Sequence, residues 1–185
     1  METLRTQNRR QFLAPLTGAI LLAGGCKGKH SRTVVQNEEQ PETGPKMASS
    51  VKMGDAAATT QLLRGFYGLE GGSWRWTAGA FAVLLRPPLT AAQKGATLQF
   101  AFSIPDVLIQ KLNAVTLTAS SGGKKLASER YAKPGAYTFH ADLAPELLAK
   151  EEITVEFALD KSLPAGSVDQ RELGLVATSV GLESK

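Results

Sequence analysis

The chain has 185 residues, 21 of them basic and 17 acidic, and a single cysteine. That length suits one domain with extensions, and one cysteine excludes an internal disulfide framework. The formal net charge is +4, yet residues 61–185 hold 13 basic and 12 acidic side chains, a net of +1. A near-neutral body lacks the basic footprint that a phosphate backbone demands, so nucleic acid is set aside as a partner.

The chain opens on a leader. Arg9-Arg10 is followed by an apolar run from Phe12 to Gly25, then by Cys26. The run is 14 residues long and is interrupted by Pro15 and Gly18. As a helix it would cover about 21 Å, short of the roughly 30 Å of a hydrocarbon core. It is long enough for the apolar part of an export signal, and the small residues before Cys26 give a peptidase close access to the backbone. The stretch resembles a bacterial lipoprotein signal, with Leu22-Ala23-Gly24-Gly25-Cys26 as the lipobox. The resemblance implies cleavage before Cys26, acylation of its thiol, and a place in the cell envelope facing the periplasm or the exterior. It leaves the inner and the outer membrane both open. One acyl chain binds a bilayer marginally and two or more anchor it, so such a foot would hold firmly. Asn8-Arg9-Arg10-Gln11-Phe12-Leu13 also resembles a twin-arginine signal. That route and the general export route both remain open.

Residues 26–60 read as an acylated cysteine and a flexible linker. Glu38-Glu39-Gln40-Pro41-Glu42, Gly44-Pro45 and Ala56-Ala57-Ala58-Thr59-Thr60 lie here, with no aromatic residue. Such a segment buries too little surface to offset its ordering entropy. A leash of this length reaches about 30–35 Å. His30 lies in it without a clustered partner.

From residue 61 the pattern changes, and 61–185 reads as one β-domain. Gly65 to Thr77 is broken by glycines and holds both tryptophans, Trp74 and Trp76. Ala80 to Leu85 reads as a strand stopped by Pro87-Pro88. Thr97 to Ile104 alternates, with Leu98, Phe100, Phe102 and Ile104 on one face, and Pro105 ends it. Val115 to Thr118 and Lys125 to Tyr131 pair across the turn Ser121-Gly122-Gly123-Lys124. Lys133-Pro134-Gly135 turns the chain into Tyr137 to His140. Ala144 to Lys150 suits a helical turn or two, begun by Pro145. Ile153 to Leu159 is the strongest strand pattern, and Leu173 to Leu182 closes the chain after a loop from Asp160 to Arg171. Seven or eight short alternating strands with little helix fold most compactly as an all-β antiparallel sandwich, jelly-roll-like in its connections.

Gly65-Phe66-Tyr67-Gly68-Leu69-Glu70, Trp74-Arg75-Trp76-Thr77 and Asp169-Gln170-Arg171-Glu172-Leu173-Gly174 together resemble small β-sandwich modules found with bacterial glycosyltransferases and envelope polysaccharide proteins. More distantly they are similar to galactose-binding-like jelly rolls. The resemblance implies an accessory, glycan-directed role.

Tyr67, Glu70, Trp74, Arg75, Trp76, Asp169 and Arg171 form the candidate ligand site. Sugars stack C–H faces on aromatic rings, and their hydroxyls pair with carboxylates and guanidinium groups. The competing reading is structural. Trp74 and Trp76 are two apart, so on a strand both point one way, into the core. Glu70 and Arg171 would then be an ion pair that locks the last strand to the first loop. Catalytic, metal and cofactor residues are not indicated. His140 is the only histidine of the domain, Gly72-Ser73-Trp74 lacks the spacing of a nucleophile elbow, and Glu151-Glu152 reads as a solvated turn. The sequence therefore supports a membrane-anchored, non-catalytic envelope module that binds polysaccharide. Two rivals stay open: a structural lipoprotein docking a protein partner, and a hydrolase with dispersed carboxylates.

Overall fold

The computed structural model describes residues 47–185. The leader 1–25, Cys26 and most of the linker lie outside the described residues.

Nine antiparallel strands form two sheets. In chain order they are β1 (Ser50–Lys52), β2 (Leu62–Phe66), β3 (Arg75–Leu85), β4 (Ala96–Ile104), β5 (Val115–Ser121), β6 (Lys124–Tyr131), β7 (Gly135–Leu143), β8 (Ile153–Leu159) and β9 (Val176–Ser184). One sheet runs β7-β4-β9-β1, and the other runs β6-β5-β8-β3-β2. Strand β3 belongs to both. Its first residues, Arg75 and Trp76, pair with Ala177 and Val176 of β9, whereas Ala80 to Leu85 pair with β8. The fold class read from the sequence is the one observed. β1 and β2 take the count beyond the expected seven or eight.

Alternation is the cause. In β4 the buried residues are Ala96, Leu98, Phe100, Phe102 and Ile104, and every residue between them is partly exposed. Opposite them, Ile153, Val155 and Phe157 of β8 are buried. The aromatic centre joins the sheets. Phe81 and Phe157 stack at 4.9 Å, and Phe100 from the facing sheet lies 4.9 Å from Phe157 and 5.5 Å from Phe81.

The ordered body starts earlier than residue 61. β1 pairs with β9, and Val51 and Met53 are buried against the core. They are isolated apolar residues in a polar stretch, so composition averaged over the stretch hides them. Gln61 secures this segment: its side-chain amide donates to the carbonyls of Ala48 and Leu84 and accepts from the Ala48 N–H.

Two short helices carry no periodicity of their own. They are α1 (Ala91–Lys94) and α2 (Asp106–Leu112). α2 starts directly after Pro105, buries Leu108, and ends at Asn113 in the left-handed region. Pro145 opens a 3₁₀ turn, Pro145–Leu148, as the sequence suggests. None of the described helices is long and apolar enough to cross a membrane.

Candidate functional site

Two loops far apart in sequence meet at one edge of the sandwich. The first follows β2 and carries Tyr67 and Glu70. The second precedes β9 and carries Asp169 and Arg171. The guanidinium of Arg171 joins them. Its Nη1 donates to Glu70 Oε1 at 2.7 Å, and its Nε and Nη2 donate to the two carboxylate oxygens of Asp169 at 3.0 Å. Its central carbon lies 5.1 Å from the centre of the Tyr67 ring. This is a cation–π contact added to a forked ion pair.

The electrostatics follow from the fork. Hydrogen bonds from Arg171 hold the Asp169 carboxyl down to about 2, and the two carboxylates hold the Arg171 guanidinium well above its ordinary value. Three of the five N–H donors of Arg171 are thus occupied. The other two, and Glu70 Oε2, make no hydrogen bond among the described residues. All four side chains are partly exposed. The cluster is a clamp between loops that keeps polar capacity for a ligand.

The remaining candidates divide. Arg75 serves backbone rather than solvent, donating to the carbonyls of Met53 and Tyr67 at 3.2 and 3.1 Å. It ties the end of β1 to the first loop. Trp76 sits in β3 and packs against the core. Trp74 is not among the side chains packed against it, which departs from the structural reading in which both rings point inward. Trp74 closes a tight turn by pairing with Glu70, and its ring lies over Gly71. Gly71 and Gly72 both have positive φ, 56° and 68°, which bulky residues disfavour. The turn therefore lifts Trp74 out of the strand register that would have aimed it at the core.

Sequence reasoning missed Glu172, which accepts from the Gly79 N–H at 3.2 Å and from the Ser162 hydroxyl at 2.5 Å. It fixes the second loop against β3. A carboxylate three residues after Asp169 carries no pattern that would single it out.

Elsewhere, a hollow of about 430 Å³ is lined by Ser121, Glu146, Lys150 and Glu152 among others. Glu146 and Glu152 are both exposed. His140 is exposed on β7 opposite Gln99. Among the described residues no group of histidine, cysteine and carboxylate side chains has the arrangement of a metal site.

No protein-family profile matches the chain. No curated protein matches it either. Solved structures do. A carbohydrate-binding module of a xylanase from the hindgut metagenome of Trinervitermes trinervoides is 11% identical, with a TM-score of 0.36, over 74% of this chain and 96% of that one. A module from Clostridium stercorarium solved with cellobiose is 11% identical, with a TM-score of 0.38, over 75% of this chain and 95% of that one. An exo-β-1,3-galactanase from Phanerochaete chrysosporium is 10% identical, with a TM-score of 0.39, over 75% of this chain and 29% of that one. Nothing about the ligand follows from likenesses this distant.

Proposed function

We propose that this chain is a lipid-anchored, non-catalytic accessory module of the cell envelope that recognises polysaccharide at its loop edge. One observation carries the reading. Tyr67, Glu70, Asp169 and Arg171 converge from loops about a hundred residues apart, stay partly exposed, and stand beside the turn that holds Trp74 outside the core. Aromatic faces beside a carboxylate and a guanidinium with spare donors suit a ligand rich in C–H faces and hydroxyls. The anchor would be Cys26, acylated after removal of residues 1–25, with the residues that follow as the leash. Membrane vesicles carrying the full-length protein test both parts. Wild-type vesicles should retain soluble polysaccharide. Vesicles prepared after Cys26→Ala should lack the protein. Retention unaffected by Trp74→Ala and Arg171→Ala together would refute the loop-edge site.

A second reading has an observation of its own. Leu69 and Val168 are 42% and 45% exposed, and each neighbours a member of the clamp in sequence. An apolar rim on the same two loops suits a docked protein partner. It would appear as a stable complex weakened by Leu69→Ser and Val168→Ser with glycan binding absent.

A further inference from the structure

The described chain enters the sandwich at the end opposite the clamp. The Ala48 carbonyl accepts from the Arg86 N–H at 3.1 Å, and the Ser49 carbonyl accepts from the Leu182 N–H at 2.8 Å. Both donors lie where β3 and β9 run out. The clamp sits in the loops that lead into those same two strands. β3 has 11 residues, about 33 Å of strand, and that length separates the two ends.

The connection from β3 to β4 covers the entry end. It runs Arg86-Pro87-Pro88-Leu89-Thr90 and then α1. Leu89 is 97% exposed, whereas the next large apolar side chain among the described residues, Leu63, is 49% exposed. The turn that carries Leu89 is pinned on both sides. Arg86 is bonded to Ala48 before it. After it, the hydroxyls of Thr90 and Ser184 share a hydrogen bond, the Ala91 N–H donates to the Pro88 carbonyl at 2.9 Å, and Ala91 is fully buried. Two prolines fix the backbone just ahead of Leu89. Arg86 and Lys94 flank it, both exposed and neither in an ion pair among the described residues.

We propose that this end of the domain rests on a lipid bilayer, with Leu89 entering the headgroup region and Arg86 and Lys94 against lipid phosphates. The proposal rests on the anchor reading above and adds a contact surface to it. The chain ahead of the domain argues for it. Residues 27–46 separate Cys26 from the first described residue. A coil of that length reaches about 22–27 Å. The chain enters at the Leu89 end, so an anchor at Cys26 draws this end, and not the clamp, toward the membrane. A single leucine holds a free domain to a bilayer only marginally. A short tether makes the contact intramolecular at an effective concentration in the millimolar range, so a marginal contact becomes populated.

Size and charge favour lipid over a protein partner. A stable protein interface buries about 800 Å² on each side, far more than one leucine on a narrow turn presents. The carboxylates at this end are balanced by nearby cations. Asp142 is paired with Lys185 at 2.8 Å, and Glu183 accepts from the Gln99 amide at 2.5 Å. Glu146, Glu151 and Glu152 share the segment between β7 and β8 with Lys150, while Lys124 and Lys125 open β6. The end therefore carries no strong field of either sign, and the two cations beside Leu89 set a mild preference for anionic lipid. Seated this way, the domain turns Tyr67 and Arg171 away from the bilayer.

The test inserts the full-length acylated protein into preformed phosphatidylcholine vesicles, with and without phosphatidylglycerol. With Cys26 acylated, an introduced thiol is the one that takes an NBD label. Ala92→Cys places the label on α1 beside Leu89, and Ala165→Cys places it on the second clamp loop; both positions are exposed. Dithionite added outside should reduce the label at 92 about tenfold more slowly than the label at 165. Leu89→Glu in the Ala92→Cys background should abolish that protection while Tm is kept. Arg86→Gln with Lys94→Gln should abolish the extra protection gained from phosphatidylglycerol. Equal rates at 92 and 165 on vesicle-bound protein would overturn the proposal and leave the anchor standing. Acylated protein that fails to float with the vesicles would overturn the anchor reading and the proposal together. Protection that rises with protein density at fixed lipid would mean that a second copy covers Leu89, and would overturn it as well.

Discussion

Arg171 Nη1 lies 2.7 Å from Glu70 Oε1, closing a contact across 101 residues of sequence. That single bond joins the loop between β2 and β3 to the loop entering the last strand. Arg171→Ala removes both ion pairs and the contact with Tyr67. It should lower Tm by about 3–6 °C, a modest loss because the pair is partly exposed. Arg171→Lys keeps the charge but loses the fork and should recover only part of it. Thermal unfolding followed by circular dichroism measures this.

Acid should release the clamp in a defined window. The hydrogen bonds of Arg171 hold the Asp169 carboxyl at about 2 in the folded chain, against about 3.9 unfolded. A depressed carboxylate stabilises the fold above its unfolded value and loses that contribution as pH falls through the folded one. The contribution is therefore intact above about pH 4 and fades toward pH 2. Asp142, lowered by hydrogen bonds from Lys185 and Thr97, acts in the same direction. Asp169→Asn should flatten the fall of Tm between pH 4 and 2 in part, and Asp142→Asn with it should flatten it further. Tm measured at half-unit steps of pH shows the slopes.

The two tryptophans should separate cleanly. Trp76 packs against the core, so Trp76→Ala should cost about 2–3 kcal/mol. Trp74 rests on Gly71 outside the core, so Trp74→Ala should cost less than about 1 kcal/mol. Urea titration of each variant gives the values. Equal losses would mean that Trp74 is a packing residue.

The aromatic centre is the least tolerant place in the fold. Phe81 is fully buried and touches Phe66, Phe100 and Phe157 at ring distances of 5.3, 5.5 and 4.9 Å. Phe81→Ala should cost about 3–5 kcal/mol. Phe81→Leu should cost distinctly less, because most of the volume stays. Denaturant midpoints of the two variants make the comparison.

The legible parts of the chain were those where one strand meets one wet face. β4 and β8 alternate without a break, so period alone identified their inward residues. β1 was illegible because Val51 and Met53 are only two large apolar residues, and their partner β9 lies about 130 residues away. α2 was hidden by its length, since seven residues give too few turns for a helical period to stand out. At the site, Glu70 and Arg171 were visible as a candidate pair because charged residues flanked by turn residues are few. The direction of Trp74 was not visible, because two adjacent glycines reset the strand phase just before it.

The central claim is recognition of polysaccharide at the edge closed by Glu70 and Arg171. A glycan array probed with the full-length protein and with its Trp74→Ala, Arg171→Ala double variant tests it most directly. The account predicts a restricted set of neutral glycans bound by the wild type, with signal reduced about tenfold or more in the double variant. An array on which the wild type binds no glycan, or on which the double variant binds the same set as strongly, would contradict it.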